Sequence, residues 1–181
     1  MAGFGAAEGG GVTARFATGE ALLLRSLVSQ VAELVAKDLG DIGPADDDLE
    51  AMLGPSGGIE PPDDAVLARL LPDAYRDDPD AAGEFRKYTE HSLRSGKVES
   101  AQTVLATLPE AGGRVRLSAD EAQAWLRAIN DVRLALGVRL GVTEDFEEQL
   151  EGVDAGDPRS AAFEVYDWLT ALQDTLVRVL S

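Results

Sequence analysis

The 181-residue sequence contains no cysteine and a single histidine, His91. Without thiols there is no disulfide framework, no thiolate zinc or iron–sulfur site, no thiol nucleophile and no thiol redox switch. One imidazole leaves most metal and acid–base constellations without their usual residues. No run reaches the ~18 apolar residues of a membrane-spanning helix, and the opening Met1-Ala2-Gly3-Phe4-Gly5 lacks the basic and apolar regions of a secretion signal. A cytoplasmic protein without membrane contact is expected. Positive charge is also scarce. Sixteen Lys and Arg stand against 33 Asp and Glu, a net charge of −17. Such a field repels nucleic acid and anionic membranes at long range, and it serves solubility.

What is present is ordinary for a globular chain: 45% hydrophobic and 27% charged residues. The length suits one domain over residues 1–181, enough to bury roughly 70% of the unfolded surface. Two short strands, residues 4–8 and 12–16, flank Gly9-Gly10-Gly11, a run that accepts positive φ in a tight turn. The alternating Arg114-Val115-Arg116-Leu117 after Gly112-Gly113 predicts a third strand of a small antiparallel sheet.

Helical periodicity dominates the remainder. A first helix is expected from Thr18 as N-cap to about Leu39, with Leu24, Val28 and Val35 on its apolar face. Residues 40–63 are acidic, without a base and broken by Gly and Pro, which reads as a flexible loop. A short helix then runs from Asp64 to Leu71, and another starts at Asp78-Pro79 and reaches Arg94. Ser95-Gly96 is expected to break or bend the chain before a further helix from Lys97 to Leu108. Ser118 and Glu121 fit a capping box that opens a long helix to Leu140, while Asp157-Pro158 opens the last one. The fold class is therefore mainly α: a helical bundle with a small antiparallel sheet, the N-terminal hairpin plus one strand near 114–117. The last helix carries an apolar stripe broad enough for two neighbours; burial inside the monomer is its first expected use, and a homodimer surface over part of it is the second.

Residues 67–76 (LARLLPDAYR), 125–137 (WLRAINDVRLALG) and 165–169 (VYDWL), with the Gly-rich opening, resemble an actinobacterial domain-of-unknown-function family. Its genes tend to lie near that of the ClpS protease adaptor. One branch is described as an oxidative stress regulator that acts with a sigma factor through a cysteine pair. The resemblance implies a regulatory protein without enzymatic activity, working with transcription or proteolysis machinery. With no cysteine, thiol sensing does not carry over, and only partner binding does.

Two groups of residues are candidate sites. Lys87, His91 and Arg94 recur at i, i+4 and i+7, and Lys97 extends the series, so they form a basic stripe suited to docking an acidic partner or a nucleic-acid backbone. The ordinary reading is a solvated face balanced by Glu84, Glu90 and Glu99. Arg127, Asn130 and Asp131, with Arg133 and Asp167, sit beside apolar stripes and form either an internal ion-pair network or the polar wall of a pocket beside helix 118–140. Other motifs are weaker. Asp46, Asp47 and Asp48 lack the alternation of a calcium loop, Gly9-Gly10-Gly11 lacks the lysine of a phosphate loop, and His91 has no nucleophile to activate. A helix-turn-helix around Ser95-Gly96 is disfavoured because its second helix would hold one base and one acid. Neither metal nor cofactor is expected. A regulatory, partner-binding protein is the first reading; a small-molecule-binding or hydrolytic domain using Arg127, Asn130 and Asp131 is the second.

Overall fold

The computed structural model describes residues 2–37, 39, 64–72, 79–145, 148, 151–154 and 156–181, with backbone only for 79–88. The acidic stretch at 40–63, including Asp46, Asp47 and Asp48, lies outside the described residues. Three strands, β1 (Phe4–Ala6), β2 (Val12–Phe16) and β3 (Gly113–Leu117), form an antiparallel sheet in the order β1-β2-β3. Gly9, Gly10 and Gly11 all take positive φ at the hairpin, where Ala7 N donates to Gly11 O. Five helices follow among the described residues: α1 (Thr18–Ala36), α2 (Ala65–Leu70), α3 (Pro79–Thr107), α4 (Ala119–Leu140) and α5 (Ser160–Leu180). The mainly helical class with a small antiparallel sheet is thus observed, with β1 two residues shorter than expected.

Strand alternation sends Phe4, Val12, Ala14, Phe16, Val115 and Leu117 inward. There Phe4, Phe16 and Trp125 of α4 pack ring to ring at centroid distances of 5.6–6.1 Å. The Trp125 indole N–H donates to Thr107 Oγ1 at 2.8 Å, so the largest core side chain leaves no polar atom unsatisfied. A second, smaller cluster joins Val35, Ala135 and the buried side of α2, whose N-terminus is capped by Asp64 Oδ1 accepting from Val66 N and Leu67 N.

Helices α1 and α3 run antiparallel and exchange arginines. Arg25 of α1 donates to the carbonyls of Leu105 and Leu108 at the C-terminal end of α3. Arg94 of α3 in turn donates to the Val35 carbonyl at the C-terminal end of α1. Each guanidinium satisfies carbonyls that have no partner within their own helix and complements the negative end of its dipole. A second crossing, α4 against α5, is held by Arg133, which donates to Thr170 Oγ1 and Gln173 Oε1 and lies 5.5 Å from the Tyr166 ring centroid.

Three local expectations change. Residues 79–107 form one unbroken helix, so Ser95-Gly96 is no break and no helix-turn-helix exists there. Glycine in a helix interior costs only ~1 kcal/mol relative to alanine, which packing of α3 on both α1 and α4 outweighs. The N-cap of α1 is Ala17 rather than Thr18: the Ala17 N–H is met by Glu20 Oε2, while the Thr18 hydroxyl donates to Ala111 O. At the start of α5, Asp157 pairs with Arg159, and the helix begins at Ser160. The apolar stripe of α5 buries Phe163, Tyr166, Leu169, Leu172 and Leu176 inside the chain itself. No described helix is long and apolar enough to cross a membrane.

Candidate functional site

The antiparallel pairing of α3 and α4 leaves a concavity of about 620 Å³ between their outer faces. From α3 come Ser92, Lys97, Ser100 and Thr103, and from α4 come Arg127, Asn130 and Asp131. Capping of α4 at Ser118 by Glu121, whose carboxylate accepts from the Ser118 N–H, sets one end of this wall.

At its centre Lys97 Nζ lies 2.7 Å from Asp131 Oδ1, the lysine partly exposed and the carboxylate buried. Burial pushes the Asp131 carboxyl above its ordinary value of 3.8, against the hydrogen bond from Lys97 and the charges of Lys97 and Arg127. Beside it, Arg127 Nε donates to Ser100 Oγ, which itself donates to the Gly96 carbonyl. Asn130 Oδ1 accepts from Gln173 of α5. The serine hydroxyl therefore faces a cation and a carbonyl, and among the described residues no carboxylate or imidazole is hydrogen-bonded to it. No group of three or more His, Asp or Glu able to hold a metal occurs among the described residues.

The raised carboxyl has a consequence for stability. The folded state holds the Asp131 proton more tightly than the unfolded chain, so the stability linked to it is present below pH 3.8 and is lost as pH rises through the folded value. Asp131→Asn is expected to remove this loss. In urea titrations from pH 3 upward, the wild type should fall relative to the variant; a wild type that gains on it would show that the attraction of Lys97 outweighs burial.

The structure brings Arg127, Asn130 and Asp131 to one concave wall, but it separates them from Arg133, which turns to α5, and from Asp167, which is exposed. The five do not form one ion-pair network, because Arg127 and Asp131 look toward α3 and Arg133 looks toward α5. The basic stripe is likewise corrected. Arg94 is only 2% exposed, with its Nη2 2.8 Å from Glu90 Oε1, and Lys97 is engaged by Asp131. His91 is exposed, and the Lys87 side chain lies outside the described residues. Four residues on one helical wheel do not make one surface when α1 and α4 pack against the same helix. Sequence reasoning also missed the hydroxyls of Ser92, Ser100 and Thr103, which no spacing rule ties to α4.

A mostly helical domain, closed at one end by a three-stranded sheet and bearing a charged recess between two long helices, is the class that this architecture defines. The chain belongs to the family described as "Domain of unknown function (DUF2017)", whose pattern matches residues 1–180. It is 38% identical over 175 residues to the oxidative stress regulator AosR of Mycobacterium tuberculosis (strain ATCC 25618 / H37Rv), covering 89% of this chain and 78% of that protein. The AosR protein of Mycobacterium bovis shows the same identity and coverage. No solved structure matches the chain.

Proposed function

We propose that this chain is a regulatory protein that acts by binding another protein, within transcription or proteolysis machinery, and performs no chemistry of its own. The observation that carries this reading is the 38% identity to proteins named as oxidative stress regulators along 89% of the chain. The absence of cysteine from the sequence removes a thiol trigger, so regulation here works through association or through ligand-dependent association. The recess between α3 and α4 supports it: its cations are oriented by Asp131 and Ser100, and the exposed Leu93 at its edge supplies an apolar anchor.

Affinity capture from a native lysate, with partners identified by mass spectrometry, tests this. The wild type is expected to retain a defined partner at least tenfold better than a Leu93→Ser, Arg127→Glu variant of equal helicity. A wild type that enriches nothing would sink the reading. A second reading, a small-molecule site, is favoured by the same recess, whose volume falls in the range of ligand pockets. It predicts a saturable rise in melting temperature with one member of a metabolite panel, lost in Arg127→Glu.

A further inference from the structure

The solvent face of the sheet inverts the charge of the rest of the chain. Arg15, Arg114 and Arg116 all stand exposed on it, opposite the face that packs on Trp125. In the β2–β3 register Arg15 lies directly across from Arg114, and Arg116 across from Thr13. Directly opposed residues have Cβ atoms about 5 Å apart, and like charges so placed destabilise a sheet. Arg116 lies about 7 Å farther along β3. Its guanidinium donates to the Glu8 carbonyl at 2.7 Å, whereas Arg15 and Arg114 have no hydrogen-bond or ion-pair partner among the described residues. These guanidiniums border a concavity of about 740 Å³ whose β1 side is small, with Gly3, Gly5 and Ala7, and whose lining contains one acid, Glu8. Three arginines against one acid, in a chain with 33 acids and 16 bases, is a local reversal, and the guanidiniums of two of the three, Arg15 and Arg114, are engaged by nothing among the described residues.

We propose that this face docks an acidic, extended segment of a partner protein, with carboxylates on alternate residues reaching Arg114 and Arg116 and a share of Arg15. Alternate residues of an extended chain are about 7 Å apart, the same step as Arg114 to Arg116. Guanidinium groups receive carboxylates in a forked, two-bond geometry. Glycines on the β1 side let a backbone come close. A polynucleotide fits worse: duplex DNA brings one charge per ~1.7 Å, which continues past three arginines into a protein of net charge −17. Two or three carboxylates end within the patch, and at physiological salt the screening length of about 8 Å limits repulsion from acids beyond it. The inference rests on the partner-binding reading only in taking the occupant to be a protein. Its alternative is a purely protective role, in which Arg114 and Arg116 on the edge strand β3 block sheet-to-sheet association, a role that the central-strand Arg15 does not serve.

The test is fluorescence anisotropy of the full chain with a labelled peptide, Gly-Glu-Val-Glu-Val-Glu-Gly, at low and physiological salt. Its Gln counterpart, a single-stranded DNA oligonucleotide and inorganic pyrophosphate serve as comparators. Saturable binding of the Glu peptide is expected, at least tenfold weaker for the Gln peptide and for an Arg15→Gln, Arg114→Gln variant. That variant should keep the wild-type circular dichroism and melt at or slightly above the wild-type temperature, because both side chains are solvent-facing and their like-charge opposition is removed. No saturable peptide binding, equal binding of the two peptides, or tighter binding of DNA or pyrophosphate overturns the proposal. If the Glu peptide binds the wild type and the variant alike while Leu93→Ser, Arg127→Glu loses its lysate partner, the sheet face is not the acidic-peptide site, and the chain remains a partner-binding protein.

Discussion

Trp125→Ala is expected to lower the unfolding free energy by about 3–5 kcal/mol, the range for deleting a large buried aromatic side chain. Trp125 is fully buried between Phe4, Phe16 and the α3–α4 crossing, so its removal opens a cavity where sheet and helices meet. It also strands the Thr107 hydroxyl, although that group retains Thr103 O as an acceptor. Against a typical total of 5–15 kcal/mol, such a loss takes a large share of the stability. Urea unfolding followed by circular dichroism should show a lower midpoint with an unchanged slope. Trp125→Phe, which keeps a ring but not the indole N–H, should fall between the two. A loss under about 1 kcal/mol in the alanine variant would contradict the central placement of this side chain.

Arg94→Ala is expected to cost about 3–5 kcal/mol, because it removes a paired cation from a buried carboxylate. Arg94 Nε and Nη2 lie 2.9 and 2.8 Å from Glu90 Oε1, and Nη1 donates to Val35 O at 2.8 Å. Truncation leaves Glu90, itself 4% exposed, without that cation and uncovers the end of α1. Arg94→Lys preserves charge but cannot reach both acceptors with a planar fork, so an intermediate loss is expected. The discriminating variant is the double substitution Glu90→Leu, Arg94→Met. Replacing a buried ion pair by apolar side chains is often close to neutral, so it should recover most of the stability lost in Arg94→Ala. A double-mutant cycle by urea denaturation measures the coupling. Additive losses at the two positions would show that the pair does not act as a unit.

The same two residues show how far the sequence was legible. Trp125 could be placed in the core from its spacing with Ile129, Val132 and Leu136, and all four are at least partly buried. The capping box at Ser118 and Glu121 and the third strand after Gly112-Gly113 were also readable, because each depends on neighbours within a few residues. Arg94 was not. Its helical phase relative to Lys87, His91 and Lys97 follows from 3.6 residues per turn, but the phase does not say which side of α3 meets another helix. The Gly96 reading failed for a related reason: a weak local preference against helix yields to packing on α1 and α4. The solvent-facing arginines lay in view in the alternation of Arg114 and Arg116. Their meaning depends on Arg15, a strand away and 99 positions earlier, being brought directly opposite.

By itself, then, the sequence excluded thiol chemistry, placed the three strands and most of the helical segments, and marked apolar residues that face inward. These follow from composition and from periods of 2 and 3.6 residues, both independent of long-range contacts. Only the tertiary structure decided the fate of the charges. Arg94 reaches Val35 across 59 positions and is buried, and Lys97 reaches Asp131 across 34, which ties its partly exposed ammonium to a buried carboxylate. Arg15 and Arg114 are left facing solvent. The cost of burying an ion depends on the partners that packing supplies, and those partners are set by how whole helices and strands come together.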